Sequence, residues 1–422
     1  QSGDEGIDDG VTRPGDPDPA TANPLTDSVL SGDLNGNDGP GFANYGENTY
    51  HVVTGSGANA TATINGFTII GGNANGPNPT NDDDGGGVNS NVGSATYMNL
   101  NIVKNTAASD GGGFSDRSGN STLLNCLLSG NTAGGTGGAM YIRSSATRID
   151  TCRFVSNSSA HAGAIYAENA ASTAVNILRS EFVNNAATSG NGGAIALVGS
   201  PTTLRAVSCR FHGNTAQFWG GVIRADFSTV AFTNCVMTGN SAVGVGEAIM
   251  LWNANGLISN CSIVTNTETT SGVIYLDTGA VVTIYNSILY SGAPFPPIAA
   301  QVAVASGGAT VQYCDIQGGF AGTGNININP RFLDPDGPDN VVGTVDDDLR
   351  LAPFSRCIDA GRNSSVPADA ADLDGDANTA ELTPLDLAGN PRFADSAYIC
   401  NTGVSGAGFA EFVDIGAYEN DG

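Results

Sequence analysis

The residues best suited to chemistry lie in an acidic loop near the C-terminus, where oxygen-bearing side chains fill nearly every second position. They are Asp372, Asp374, Asp376, Asn378 and Glu381. Hard cations such as Ca²⁺ take their ligands from carboxylate and amide oxygens. The spacing differs from that of a helix-loop-helix calcium loop, because Ala377 stands where that loop requires glycine. We predict a structural calcium site here, and a solvated acidic loop is the alternative.

Two further acidic segments offer oxygen ligands. The first comprises Asp334, Asp336, Asp339 and Asp346. Without a counter-ion these carboxylates would repel one another, because they lie within one Debye length. A bound calcium ion would bridge them and so stabilise this part of the chain. The second runs from Asp33 to Asp38, with oxygen ligands at alternate positions. A simple turn and a calcium loop both fit this second segment.

The middle of the chain lacks an obvious catalytic pattern. Its carboxylates are single and scattered, and they include Asp150, Glu168, Glu181, Asp226, Glu247, Glu268 and Asp277. Its one lysine, Lys104, and its three separate histidines form no metal or nucleophile motif. A glycosidase needs two carboxylates about 5–10 Å apart. We therefore predict a protein that is not an enzyme, with a polysaccharide lyase or glycoside hydrolase as the alternative.

Aromatic side chains suggest a third possibility, which is carbohydrate binding without catalysis. Phe218, Trp219 and Trp252 are suited to stacking on sugar rings. Burial in the core explains the same residues equally well.

The middle of the chain consists of a sequence repeat, and its most regular feature is an asparagine at the end of each repeat. The series comprises Asn105, Asn131, Asn157, Asn185, Asn214, Asn240 and Asn266. Most of these residues are 26 positions apart, and a period in this range points to a solenoid. We interpret the series as structural, because asparagine tolerates a left-handed bend and stacked amides can hydrogen-bond from coil to coil.

Within each repeat the apolar residues alternate, as Cys152 with Phe154 and Cys209 with Phe211 do. Alternation indicates a strand with one buried face, and no helical spacing recurs. Each repeat is therefore one turn of a single-stranded parallel β-helix, stacked on the next at about 4.8 Å. The spacing predicts about ten coils of roughly 26 residues.

A glycine-rich phrase alternates with the asparagine phrase, as in Gly137-Gly-Ala-Met140 and Gly192-Gly-Ala-Ile195. Paired with Phe154-x-x-Asn157 and Phe182-x-x-Asn185, it resembles the repeats of bacterial polymorphic outer-membrane proteins. The resemblance covers roughly residues 64–320. It implies a right-handed β-helix displayed on a cell surface and involved in adhesion.

The last hundred residues change character, since residues 320–422 hold 18 of the 41 carboxylates. Their phrases Cys357-Ile-Asp-Ala-Gly361 and Val413-Asp-Ile-Gly-Ala-Tyr-Glu419 resemble the end of secreted bacterial choice-of-anchor β-helix proteins. The resemblance implies a module that closes the solenoid.

The eight cysteines fall into two groups. Six share one repeat position, and we predict that they are buried, mostly reduced thiols: Cys126, Cys152, Cys209, Cys235, Cys261 and Cys314. Cys357 and Cys400 lie outside the repeats, and we predict that they form a disulfide in the C-terminal module.

Composition divides the chain into an acidic, proline-rich arm (1–27), N-terminal coils (28–65), the regular β-helix (66–319) and an acidic C-terminal cap (320–422). The arm is too polar to fold alone, so we expect it to become ordered against the solenoid flank or a neighbouring copy. Repeated contact with a neighbour would build an end-to-end filament, and a monomeric adhesin is the alternative.

The net charge of −26 argues against nucleic acid as a partner, because no basic face exists to neutralise phosphates. No apolar run is long enough to span a membrane. We predict a secreted, extracellular or cell-surface protein with a structural or adhesive role, in contact with its own copies or with polysaccharide.

Overall fold

The computed structural model describes residues 28–77, 81–168, 173–266, 272–291 and 300–420. The predicted N-terminal arm, residues 1–27, lies outside the described residues. The chain divides into two compact units. The N-terminal unit comprises residues up to Thr203 together with Asn214–Gln217, and the C-terminal unit comprises Leu204–Gly213 together with the chain from Phe218 onward.

The predicted fold class is confirmed, since the chain is all-β and its coils of about 26 residues form a parallel β-helix. A typical coil contains four strands in order. They are a glycine-side strand after the glycine phrase (Phe114–Arg117), a middle strand (Thr122–Leu124), a cysteine-side strand (Leu127–Ser129) and a short strand after the ladder asparagine (Thr132–Thr136).

The N-terminal unit repeats this pattern. Its glycine-side strands are Val53–Thr54, Val88–Asn91, Phe114–Arg117, Met140–Arg143, Ile165–Glu168 and Ile195–Val198. Its middle strands are Thr63–Asn65, Thr96–Met98, Thr122–Leu124, Ala146–Asp150 and Thr173–Leu178, and the strand Thr202–Val207 contains residues of both units. Its cysteine-side strands are Val29–Ser31, Thr68–Ile70, Asn101–Val103, Leu127–Ser129, Arg153–Val155 and Glu181–Val183. Its short strands are Asn73–Ala74, Thr106–Ala107, Thr132–Thr136, Ser158–His161, Ala186–Ala187 and Thr215–Ala216, and 3₁₀ turns lie at Pro40–Phe42 and Tyr45–Glu47.

The C-terminal unit continues the same pattern and adds the acidic module. Its glycine-side strands are Ile223–Asp226, Ile249–Trp252, Ile274–Asp277 and Val302–Val304. Its middle strands are Thr229–Thr233, Asn255–Ser259, Ala280–Tyr285 and Gly307–Gln312. Its cysteine-side strands are Arg210–His212, Val236–Thr238, Ser262–Val264, Ile288–Tyr290 and Asp315–Ile316, with a short strand at Ser241–Ala242. The module contains an antiparallel pair, Phe332–Asp334 with Asp348–Leu351, and a 3₁₀ turn at Asn363–Ser365.

The parallel pairing keeps equivalent positions in register from coil to coil. Phe114 pairs with Val88 on one side and with Met140 on the other, and all three side chains are fully buried. Gly111, with φ of +64°, makes the bend before this strand. A Cβ at Gly112 would lie 2.3 Å from the carbonyl oxygen of Thr132. The glycine phrase is therefore required by a tight bend and by close approach of neighbouring backbones.

The left-handed bends fall one residue before the position that we expected. Ser156 and Asn184 have positive φ, whereas the ladder residues that follow them, Asn157 and Asn185, do not. A second left-handed bend precedes the cysteine position, as at Asn125. The ladder asparagines are thus selected for their hydrogen bonds and not for backbone conformation.

Those hydrogen bonds confirm the predicted amide ladder. The Nδ2 of Asn131 donates to Oδ1 of Asn157 at 3.0 Å and to the carbonyl oxygen of Ile102 at 2.8 Å. The same side-chain link joins successive ladder residues from Asn105 to Asn214 in the N-terminal unit, and Asn240 to Asn266 in the C-terminal unit. Every ladder residue is buried, so the bonds form in a setting where an unpaired amide is costly.

The six repeat cysteines are buried free thiols, as predicted. Burial raises the pKa of Cys314 to about 12, so this thiol stays protonated at neutral pH. The expected disulfide is not formed. Cys357 is buried, with its Sγ donating to Oδ2 of Asp315 at 3.4 Å, whereas Cys400 is exposed. The Cys357 side chain belongs to the packed core and is not available to a surface partner.

The acidic module does more than cap the last strand. Ile326 forms a parallel bridge to Asp315 and covers the edge of the final coil, as a cap does. Further along, Leu349, Ile358 and Ile415 share one core with Val236, Val264 and Ile288 of the cysteine-side strands. The module therefore also packs along the outward face of successive coils in the C-terminal unit.

One buried arginine holds the end of this module to a coil. Arg392 is fully buried and forms an ion pair with Glu419, at 2.8 Å between Nη1 and Oε1. Its Nη2 donates to Oδ1 of Asn234 at 2.9 Å. The backbone amide of Asp414 donates to Glu419 as well. The closing phrase Val413–Glu419 is thus held to the coil at Asn234 through a buried ion pair.

Candidate functional site

A polar concave site lies on the glycine-side face of the N-terminal unit. Here a pocket of about 360 Å³ opens over the strands Phe114–Arg117, Met140–Arg143 and Ile165–Glu168. Its lining includes Asn81, Asp84, Ser109, Asp110, Arg117, Thr136, Tyr141, Arg143, Tyr166 and Glu168. The strand residues occupy outward positions in register, since Arg117 pairs with Arg143 and Arg143 pairs with Glu168.

One end of this pocket is a buried carboxylate–guanidinium corner. The Asp84 carboxylate accepts the backbone N–H of Asp110 at 2.9 Å and forms a very short ion pair with Arg117. Asp110 in turn accepts the amide and hydroxyl of Thr136 at 3.0 and 2.7 Å. Burial raises the pKa of Asp84 to about 6 against the opposing effect of Arg117. These carboxylates hold loops and the guanidinium in place.

The other end is a stack of planar groups. The Arg117 guanidinium lies 4.5 Å from the centre of the Tyr141 ring, and Tyr141 stacks on Tyr166 at 6.2 Å between centroids. The Tyr141 hydroxyl donates to Glu168 at 2.6 Å, and the Arg143 Nε lies 3.3 Å from the same oxygen. Burial and this hydrogen bond raise the pKa of Tyr141. The stack is thus fixed at both ends, and Tyr166 is its partly exposed face.

The pocket offers hydrogen-bond donors and an aromatic ring face, which suit binding better than catalysis. The Nε of Arg117 is shut off from bulk water and has no hydrogen-bond partner. The part of the pocket that a ligand can reach is therefore the partly exposed Tyr166 ring with the charged groups around it. Both oxygens of Asp84 are already engaged, which suits positioning better than proton transfer.

Sequence reasoning identified Glu168 only as one of several scattered acids and did not identify this pocket. Arg117, Tyr141 and Tyr166 stand in separate coils with no shared motif. The signal that would have found them is their position, since each follows a glycine phrase at an outward strand position in register.

The predicted sugar-stacking aromatics lie in the C-terminal unit. Trp219 and Trp252 stack on each other at 6.3 Å, and the Arg224 guanidinium lies 4.4 Å from the Trp219 ring. Both indoles are partly exposed and Phe218 is exposed, so burial in the core does not account for them.

The predicted calcium loop converges only in part. Carboxylate oxygens of Asp372, Asp374 and Asp376 lie within 4.8 Å of one another. Glu381 joins a second group with Asp374 and Asp369, and the Nδ2 of Asn378 donates to Glu381 at 3.1 Å. The prediction missed Asp369, whose side chain is fully buried with an unpartnered Oδ1.

The second predicted acidic site does not converge. Asp346 accepts the Thr344 hydroxyl at 2.6 Å and the Asp339 amide at 3.2 Å, so it closes a turn. Burial and the neighbouring Asp336 raise the pKa of Asp334. Among the described residues, no three of these carboxylates come within 4.8 Å of one another, so the structure does not bring this predicted ligand set together.

Comparison of the chain with protein-family models, curated proteins and solved structures found no match. Within the described ranges, no helix has the length and apolar character needed to cross a membrane.

Proposed function

We propose that this protein is a non-enzymatic extracellular surface or matrix protein that adheres by binding carbohydrate in the polar pocket of the N-terminal unit. The observation that carries the proposal is the Arg117–Tyr141–Tyr166 stack, with its partly exposed Tyr166 ring in a polar pocket. Sugars present apolar ring faces and alternating hydroxyl groups, which match a tyrosine face flanked by charged donors and acceptors.

The charge of the pocket supports a neutral or weakly charged saccharide. Arg117 and Arg143 face Asp84, Asp110 and Glu168, so the two signs nearly balance at the site. The chain as a whole carries −26, which opposes strongly anionic polymers and nucleic acid. The paired tryptophans of the C-terminal unit offer a second ring face of similar design.

The carboxylates of the pocket are engaged in hydrogen bonds, which favours binding without catalysis. A hydrolase needs one carboxyl group free to protonate the leaving oxygen and another free to activate water or attack. Asp84 and Asp110 instead accept backbone, hydroxyl and guanidinium donors. A polysaccharide lyase or glycoside hydrolase is the second candidate, and it is favoured by the burial of Asp84, which raises the pKa of this carboxyl to about 6.

Affinity electrophoresis tests the proposal in gels that contain a neutral β-glucan or the anionic polymers pectin and alginate, which the negative charge of the chain should make poorer ligands. We expect at least one polysaccharide to retard the wild-type protein. Tyr166→Ala should weaken that binding about five- to tenfold, because one ring contact is worth roughly 1 kcal/mol. Tyr50→Ala is the matched control, since Tyr50 is an exposed tyrosine outside the pocket. Equal retardation of the two variants would show that the pocket is not the binding site.

A further inference from the structure

The first coil of the N-terminal unit contains a group of buried oxygen atoms without donors. Between the strand Val29–Ser31 and the glycine pair Gly71-Gly72, the chain folds through two 3₁₀ turns. Carboxylate oxygens of Asp33, Asp38 and Glu47 come within 4.8 Å of one another there. The sequence pattern of Asp33–Asp38 fits either a turn or a calcium loop, and it does not include Glu47.

A second observation concerns the side chain beside these carboxylates. Asn48 is only 6% exposed, and its Nδ2 donates both to Oδ2 of Asp38 at 2.8 Å and to the carbonyl oxygen of Gly71 at 2.6 Å. With the amide nitrogen engaged, its Oδ1 is left buried without a partner. Oδ1 of Asp38, Oε1 of Glu47 and Oγ1 of Thr49 are buried and unpartnered in the same way.

We propose that Asp38, Glu47 and Asn48, with Asp33 alongside, form a Ca²⁺-class cation site that ties the first coil of the N-terminal unit together. Oxygen atoms that face one another without a donor repel, and a hard divalent cation satisfies several of them at once. The ligand set of carboxylates and an amide oxygen suits Ca²⁺ better than Mg²⁺, which keeps several of its waters.

The surrounding geometry leaves room for the site. Gly71 has φ of +77°, and a Cβ there would lie 3.1 Å from Oδ2 of Asp38. The backbone of the same region links the first coil to the next, since Gly32 donates to Ile70 and Asn73 donates to Thr49. A cation held at this point would therefore fasten the edge of the β-helix, where pairing partners run out.

The electrostatics agree with the geometry. Burial, together with the charges of Asp33 and Glu47, raises the pKa of Asp38 against the effect of its bond to Asn48. Burial and the nearby Asp38 and Asp33 raise the pKa of Tyr45 to about 12. Lys104 lines the adjoining cavity, but in the described part of the chain it forms no ion pair with these carboxylates.

Calcium titration of the full-length chain after EDTA treatment and dialysis tests the site. The double variant Asp38→Asn/Glu47→Gln should bind about one Ca²⁺ fewer per chain than the wild type, because two of its charged ligands are lost. Asp277→Asn/Glu411→Gln removes the same number of charges elsewhere and should bind as the wild type does. Equal stoichiometry in all three proteins would overturn the proposal.

A second measurement applies even if the double variant fails to fold. Tb³⁺ in place of Ca²⁺ emits when a neighbouring tyrosine is excited, and Tyr45 is the tyrosine beside this site. Tyr45→Phe should keep the bound-metal stoichiometry and lose a large part of the sensitised emission, whereas Tyr166→Phe, several coils away in the same unit, should lose little. Unchanged emission in Tyr45→Phe would show that any bound metal lies elsewhere, such as in the acidic loop at Asp372.

Discussion

Replacing Asn157 by alanine is expected to destabilise the N-terminal unit strongly, although Asn157 touches no ligand site. Its Nδ2 donates to the carbonyl oxygen of Leu128 and to Oδ1 of Asn185, both at 2.9 Å. Its Oδ1 accepts the backbone N–H and the Nδ2 of Asn131, both at 3.0 Å. Asn157→Ala deletes all four bonds inside a fully buried ladder.

The expected loss follows from the groups left behind. A buried donor or acceptor without a partner costs about 1–3 kcal/mol. The Asn131 amide and the Leu128 carbonyl both lose a partner, so we expect a loss of about 3–5 kcal/mol after partial relaxation. Asn99→Ala is the matched control, because Asn99 makes similar amide–amide bonds to Asn65 and Asn125 on the exposed surface. Water can replace the exposed bonds of Asn99, so the main cost of Asn99→Ala is that alanine must adopt the positive φ of this position. We expect that cost to be about 1 kcal/mol.

Equilibrium urea unfolding followed by far-ultraviolet circular dichroism measures both values. The account requires a much lower unfolding midpoint for Asn157→Ala than for Asn99→Ala. If the two variants unfold at the same urea concentration, the buried amide ladder is not what holds the coils together, and the argument from unsatisfied buried groups fails.

Two further predictions concern the acidic C-terminal module. Burial raises the pKa of Asp414 to about 8 and of Asp359 to about 6, so both contribute stability below pH 4 that is lost as the pH rises toward 8. In EDTA, the melting temperature of the full chain should therefore fall between pH 5 and pH 8, and Asp414→Asn should flatten the slope; a melting temperature that rises over this range would contradict the sign. Added Ca²⁺ should raise the melting temperature at pH 7.5, and Asp369→Asn should reduce that gain because Asp369 carries the unpartnered buried oxygen of the loop. The exposed control Glu411→Gln should respond to Ca²⁺ as the wild type does. An equal rise in melting temperature for all three proteins would show that Ca²⁺ does not stabilise the protein through this loop.

The coil repeat could be predicted from the sequence because stacking forces each coil to follow the same path. Positions such as Phe114 and Met140 recur at a fixed period, since each pairs in register with its neighbours. The sequence pattern predicts the left-handed bend one residue too late. The asparagine at the ladder position is required for its amide hydrogen bonds, whereas the bend before it accepts several residue types, including Ser156 and Lys104.

The sites were harder to predict because they are assembled across coils. The polar pocket brings together Asp84, Tyr141 and Glu168, which lie in different repeats and share no motif. The acidic loop was visible as alternation, but Asp369 lies upstream of that pattern and joins it only through the fold. Cys357 and Cys400 both lie outside the repeats, which suggests a disulfide, but Cys357 packs in the core and Cys400 is exposed.

The central claim is that the polar pocket binds polysaccharide without cleaving it. Its most direct test is to measure the chain length of a bound polysaccharide after prolonged incubation with the protein. The polysaccharide that retards the protein in affinity electrophoresis is incubated with it and then analysed by size-exclusion chromatography and by assays for reducing ends and unsaturated uronic acids. The account predicts that the polysaccharide remains bound and keeps its original length, with no new ends. Shortening by the wild type that disappears in Asp84→Asn would contradict the account and identify the pocket as a catalytic site.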